Sequence, residues 1–396
     1  TPMYLASPAA QNLPAEVVDH ILDGNRGDRR SLTSSSLVCK AWLPSSRYHL
    51  FSEFDVYVGK KFLKLLHHPL CTFIYCIRTI TLYLGQPDAS GIVALDDEVV
   101  TRLAKLMHVS SLRILNHRGL IAKPTLALLA STFGGVETLR LENAFASAND
   151  VIEFVASFPK LKTLDFYPYC HGSTPATFPS TLPPSKLSRV QLHGPFFDRS
   201  WFVEHPAHIS ALALTNVKSN DLGKVEELLT ALAPDLRDLS MNFVLMEIPI
   251  VLMTNAGPLH VPGQTALDGP ELVPILQHLR LTSLQITALH TSISDFLVFT
   301  RDAQLPTLRM LSWIAQDYSY TKSGLSGEVA SIDEAVSDRT SFEALEEVYI
   351  TVQQSASYLE DAKQCKWMEA KNRLALIQFP KADGLGIKVV FQTVQV

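Results

Sequence analysis

The sequence predicts an α/β chain: a small helical block at the N-terminus, then a long irregular repeat array with parallel strands on a concave side and helices on a convex side. Three observations predict it. Short apolar series at helical spacing crowd the segment from Leu13 to Phe51. From Ile77 onward, one three-point apolar pattern recurs ten times. Between its occurrences, polar residues precede helical apolar series, the pattern of helix starts.

The helical block comes first. Leu13-Pro14 ahead of Glu16 marks a helix start, with proline in or near the first turn and an acid where the helix dipole favours negative charge. Val17, Val18, Ile21 and Leu22 continue at helical spacing as a wide apolar stripe, and Asp23-Gly24-Asn25 stops it. A second series begins at Leu32 and runs through Leu37, Val38, Ala41 and Trp42, and Pro44 closes it. Two or three short helices in so few residues cannot bury their own apolar faces, so a partner is the natural place for them. The alternative on these residues is a helical hairpin that caps the next domain.

LPAEVVDHIL, SLVCKAW and SSRYHLF, in this order and spacing, resemble the F-box family, especially its large fungal group. The resemblance implies a small helical unit over residues 12–55, preceded by a flexible stretch at 1–11. It implies docking on a Skp-type adaptor, which links the chain to a cullin and the ubiquitin-transfer machinery. Leu13 and Pro14 match the opening pair, Val17 and Ile21 the apolar positions of the first helix, and Leu37, Val38, Cys39 and Trp42 the central run. These eight are the expected adaptor-binding residues. Gly24-Asn25-Arg26-Gly27 departs from the family, which has a more apolar stretch there.

Residues 56–396 carry the repeat. The pattern appears as Ile77-Ile80-Leu82, Leu112-Leu115-His117, Val136-Leu139-Leu141, Leu161-Leu164-Phe166 and Leu187-Val190-Leu192. It continues as Ile209-Leu212-Leu214, Leu236-Leu239-Met241, Leu281-Leu284-Ile286, Leu308-Leu311-Trp313 and Leu345-Val348-Ile350, with His117 as the one polar exception. Successive starts lie from 22 residues apart (Leu187 to Ile209) to 45 apart (Leu236 to Leu281). Most intervals resemble those of leucine-rich repeats, whose period is about 20–29 residues. Helices are expected after Asp96, after Ser147 or Asn149, after Ser219 and after Ser294. A strand followed by a helix, repeated, builds an irregular leucine-rich-repeat-like solenoid. Its turns depart from such repeats, whose asparagine after the strand is replaced by Leu120, Ala144, Tyr169, Pro195 and Val217, while Asn143 and Asn216 come one residue early. Proline and glycine break the rhythm near 242–269, a second insertion lies near 316–339, and a helix over 356–378 with a strand at 387–394 is expected to cap the array. A generic α/β sheet is the competing architecture.

Composition narrows the function. Hydrophobic residues at 47% and charged residues at 18% describe a well-packed chain, and a net charge of −5 gives no general attraction to nucleic acid or to an anionic membrane. Neither is expected as a partner. Five scattered cysteines and an N-terminus without the features of a signal peptide point to a reducing compartment, the cytoplasm and/or nucleus. Catalytic patterns do not assemble: Gly324-Leu325-Ser326-Gly327 is followed by Glu328 where a nucleophile elbow needs glycine, and Val389 takes the third glycine site after Gly384-Leu385-Gly386. His205 and His208 have metal-pair spacing, but Pro206 prevents the helix that would align them. The expectation is a non-enzyme with no cofactor and no metal, whose polar strand residues bind an unknown target protein. Tyr83, Arg118, Arg140, Tyr167 and Arg189 are the candidate target-binding residues, because tyrosine and arginine are enriched at protein interfaces. The resulting role is substrate recognition for an SCF-type ubiquitin ligase; the alternative is a Skp-binding repeat scaffold with no part in ubiquitination.

Overall fold

A computed structural model of the chain describes residues 13–38, 40–57, 60–68, 71–84, 92–93, 95, 97–145, 147–170, 181–193, 200–205, 207–217, 222–243, 276, 278–289, 304–316, 332–338, 340–354 and 379–395. The chain divides into two compact units, Thr1–Leu187 and Ser188–Val396.

The first unit opens with short helices α1 (Ala15–Gly24), α2 (Arg29–Ser35) and α3 (Leu43–Phe51). α1 ends where the sequence stops favouring it: Asn25 Nδ2 donates to the Ile21 carbonyl at 2.8 Å and satisfies a last-turn acceptor. The 24–27 segment is then a turn into Asp28, whose carboxylate accepts the Arg30 and Ser31 amides at 2.9 and 3.3 Å and the Ser31 hydroxyl at 2.6 Å. The second apolar series is helical only as far as Ser35, and Leu37 and Val38 lie in turns. Pro44 does not close that series; it stands in the first turn of α3, where its missing N–H leaves no helical bond unmade. Val18, Leu22 and Leu32 form a small buried core, with Trp42 and Leu50 packed against it.

The strand array of this unit contains β1 (Glu53–Tyr57), α4 (Lys60–His67), β2 (Thr79–Tyr83), β3 (Ile92–Val93), α5 (Asp97–Leu103), β4 (Ser111–Ile121), α6 (Lys123–Thr132), β5 (Thr138–Phe145), α7 (Ala148–Ala156) and β6 (Thr163–Cys170). The strands are parallel in the order β1-β2-β4-β5-β6, and β3 pairs with the far end of β4. Ile80, Leu112, Leu139 and Leu164 stand in register, as do Leu82, Ile114, Leu141 and Phe166, and all eight are fully buried. This corrects one repeat: its buried residues are Val109, Leu112 and Ile114, not Leu112, Leu115 and His117. Val109, Leu112 and Leu115 are three apart, so two overlapping readings satisfy the spacing, and pairing with β2 and β5 selects the earlier one. The pattern also extends backward, since Phe54 and Val56 of β1 align with Ile80 and Leu82, and β1 spans the boundary expected at residue 55. Ser147 caps α7 by accepting the Asp150 amide at 3.2 Å. α4 and α6 lie in stretches where no helix start was singled out. Pro124 in the first turn of α6 is its sequence signal, and Leu126, Leu129 and Ala130 are its buried stripe.

The second unit contains β7 (Arg189–His193), α8 (Ser200–Glu204), β8 (Ala211–Val217), α9 (Leu222–Leu232), β9 (Asp238–Phe243), β10 (Ser283–Leu289), β11 (Met310–Gln316), β12 (Glu347–Gln354), α10 (Pro380–Gly384) and β13 (Lys388–Gln395). Its strands are also parallel and follow chain order from β7 to β13. Every apolar triad predicted between Leu187 and Ile350 is buried. Asn216, one residue early in its repeat, has φ of 58° at a bulge between Leu214 and Val217, a left-handed conformation asparagine tolerates. The short helix at 332–336 supplies Asp333, whose buried carboxylate accepts the Lys381 and Ala382 amides at 3.0 and 2.9 Å and caps α10. The expected flexible start, most of both insertions, the helix after Ser294 and the helix over 356–378 lie outside the described residues.

Candidate functional site

Two surfaces carry the residues singled out in the sequence. The first is on α1. Val17 and Ile21 are four residues apart and share one helical face, and Leu13 lies just before the helix. Leu13, Val17 and Ile21 are 40%, 42% and 39% exposed, although the adjacent Val18 and Leu22 are buried. The flank beyond the core is held by α3, where Ser45 Oγ donates to Asp19 Oδ1 at 2.5 Å and His49 Nε2 lies 3.3 Å from Asp23 Oδ1. Asp19, Asp23, Pro44, Ser45, Tyr48 and His49 line a shallow cavity of about 440 Å³ there. The stripe is therefore bare because α3 packs on the other side of the helix. Pro14 is exposed, and Leu37, at 81%, is the most exposed of the large apolar residues described. Val38 and Trp42 are half-buried, and Trp42 belongs to the small core. Cys39 lies outside the described residues.

The second surface is the polar face of the first unit's sheet, opposite the buried triads. Pairing arranges it in rows: Asp55, Thr81, Arg113, Arg140 and Asp165 in one, and Tyr57, Tyr83, Leu115, Glu142 and Tyr167 in the next. The corrected register places Arg113 here, a residue sequence reading missed because it counted the repeat three positions late. Arg113 is exposed and has no acidic partner among the described residues. Arg118 lies in the distal part of β4, past the register shift after Asn116, and is not in this row; its side chain is outside the described residues.

Arg140 and Tyr167 are already engaged with their neighbours. Arg140 bonds Glu142 Oε1 through Nε at 2.6 Å, approaches Asp165 at 3.4 Å and lies 5.1 Å over the Tyr167 ring. Partial burial works against the Arg140 charge, but Glu142 and Asp165 more than offset it, so its pKa rises. Burial also pushes the Tyr167 hydroxyl up, and Asp165 adds to the shift. Tyr83 is half-buried under Tyr57, their rings stacked at 4.6 Å and 19°.

In the second unit, Arg189 is exposed at the start of β7. The polar face there holds a bond between Thr215 Oγ1 and His193 Nδ1, and a cluster in which the Tyr349 hydroxyl donates to Glu347 at 2.7 Å with Lys388 alongside. His208 pairs with Asp235 at 2.7 Å. Burial raises the pKa of Cys71 and Cys76, the direction opposite to nucleophilic activation. Among the described residues, no three His, Cys, Asp or Glu side chains converge as a metal site, and no helix is long and apolar enough to cross a membrane. Compared with known proteins, the chain matches no family model, and no curated protein is significantly similar to it.

Proposed function

We propose that the chain is the substrate-recognition subunit of an SCF-type ubiquitin ligase and acts in the cytoplasm and/or nucleus. On this reading the N-terminal helices are an F-box that docks a Skp-type adaptor and, through it, a cullin. The strand array is an irregular leucine-rich-repeat-like solenoid whose polar strand face holds a target protein, and the chain itself performs no bond chemistry. The supporting observation is the bare stripe of Leu13, Val17 and Ile21, which coincides with positions expected from the LPAEVV resemblance and stays uncovered while its neighbours are buried. Surface patches of this kind mark places where a partner binds. The test is co-purification of a Skp-type adaptor with wild type and with a Leu13→Ala, Pro14→Ala variant. Recovery should fall sharply in the variant, and equal recovery overturns the docking reading.

A further inference from the structure

We propose that the polar face of β1 and β2 seats an arginine side chain of the target protein, with its guanidinium against the Tyr57 ring and paired to Asp55. This rests on the target-recognition half of the reading above and does not require the adaptor half.

The chain contains the template for this contact. β6 presents Asp165-Phe166-Tyr167, with Asp and Tyr on the polar face and Phe166 in the core. The neighbouring strand β5 places Arg140 in the row of Asp165, where it stacks over Tyr167 and is held by Asp165 and Glu142. β1 presents the same triplet as Asp55-Val56-Tyr57, again with the middle residue buried and the outer two on the polar face. Its neighbour β2, which lies on the opposite flank of its triplet from that on which β5 flanks β6, puts Thr81 in the row of Asp55. The second Asp-apolar-Tyr triplet therefore lacks the arginine that the first one has.

The groups left over are those a guanidinium would use. Glu53 and Asp55 are exposed, and neither has a cationic partner among the described residues. Tyr57 is 77% exposed, yet its ring is held by stacking on Tyr83. Thr81 is 4% exposed and pairs in register with Asp55, which puts a small polar side chain at the floor of the site. A guanidinium brings a flat face for the ring and N–H groups for the carboxylates and the hydroxyl, whereas an ammonium brings only a point charge. Alternate residues of one strand are about 7 Å apart, so a guanidinium lying on Tyr57 reaches Asp55. Arg113, one strand beyond Thr81, keeps the cation on the β1 side of the face.

The experiment uses the full chain with its tyrosines isotopically labelled, no adaptor present, and acetylated pentapeptides whose central residue is arginine, citrulline, lysine or glutamate. The arginine peptide should shift the Tyr57 ring resonances and bind about five-fold more tightly than its uncharged citrulline counterpart. Asp55→Asn should reduce binding about five-fold, Thr81→Arg should abolish it by placing a cation beside Asp55, its register partner, and Glu226→Gln on α9 should leave it unchanged. Equal binding of arginine and citrulline, or full binding by Asp55→Asn, overturns the proposal. Should Thr81→Arg fail to fold, Asp55→Asn and the exposed Tyr57→Ala still decide it. A chain that binds the peptide but recovers no adaptor keeps this inference and loses the docking reading; the converse result does the reverse.

Discussion

Replacing Val17 and Ile21 together by serine should separate partner binding from folding. Their exposed fractions, 42% and 39%, together amount to somewhat less than one fully exposed apolar side chain. Burying such a side chain yields about 1.5–3 kcal/mol, so on the proposed docking the pair should contribute about 1–2.5 kcal/mol and its loss should weaken adaptor binding by about 5- to 60-fold. About three fifths of each residue is also buried in the free chain, so on the same conversion its stability should fall by about 2–3.5 kcal/mol, and affinities are compared where both chains are folded. Leu22→Ala is the contrast: this fully buried neighbour should cost about 2–5 kcal/mol of stability and lower adaptor binding only through unfolding. Titration calorimetry with a purified Skp-type adaptor gives the affinities, and urea unfolding of the free chain gives the stabilities. Unchanged affinity of the folded serine variant would refute the claim that this stripe is the docking face.

Two further outcomes follow from the caps. Asp333→Ala leaves two amides at the start of α10 without their buried acceptor and should cost about 2–4 kcal/mol by urea unfolding, with a smaller loss for Asp333→Asn; a change under about 0.5 kcal/mol contradicts the capping role. The bond from the Ser31 side chain, and after it the Ser31 and Arg30 amides, hold Asp28 below its ordinary pKa of 3.8. A depressed carboxylate pKa stabilises the fold fully above its unfolded value and less as pH falls through the folded one, so α2 should fray only below about pH 3.8. Amide resonances of Arg30 and Ser31 that stay put through that range would argue against the cap.

Much of the fold is legible in local spacing. The apolar triads from Val136 to Ile350 each land in the core, because a residue that faces the core of one strand must do so again two positions on. The cap at Ser147 and the stop at Asn25 are likewise local chemistry, settled by side chains within four residues of the groups they satisfy. The stretch from Val109 to Leu115 was not legible, since three apolar residues at equal spacing satisfy the pattern twice. Trp42 belonged on paper to the docking set and lies against the core, because α3 starts beside it.

Spacing along the chain thus establishes which residues are apolar-facing, where helices begin and end, and which short blocks resemble a docking motif. Pairing between strands establishes who stands next to whom: Arg140 beside an Asp-apolar-Tyr triplet and Thr81 beside its twin. Packing of α3 on one flank of α1 is what leaves Val17 in water and Val18 buried. The division has a physical reason: periodicity depends on backbone geometry within a few residues, whereas register and helix flanks depend on hydrogen bonds and contacts to segments tens of residues away.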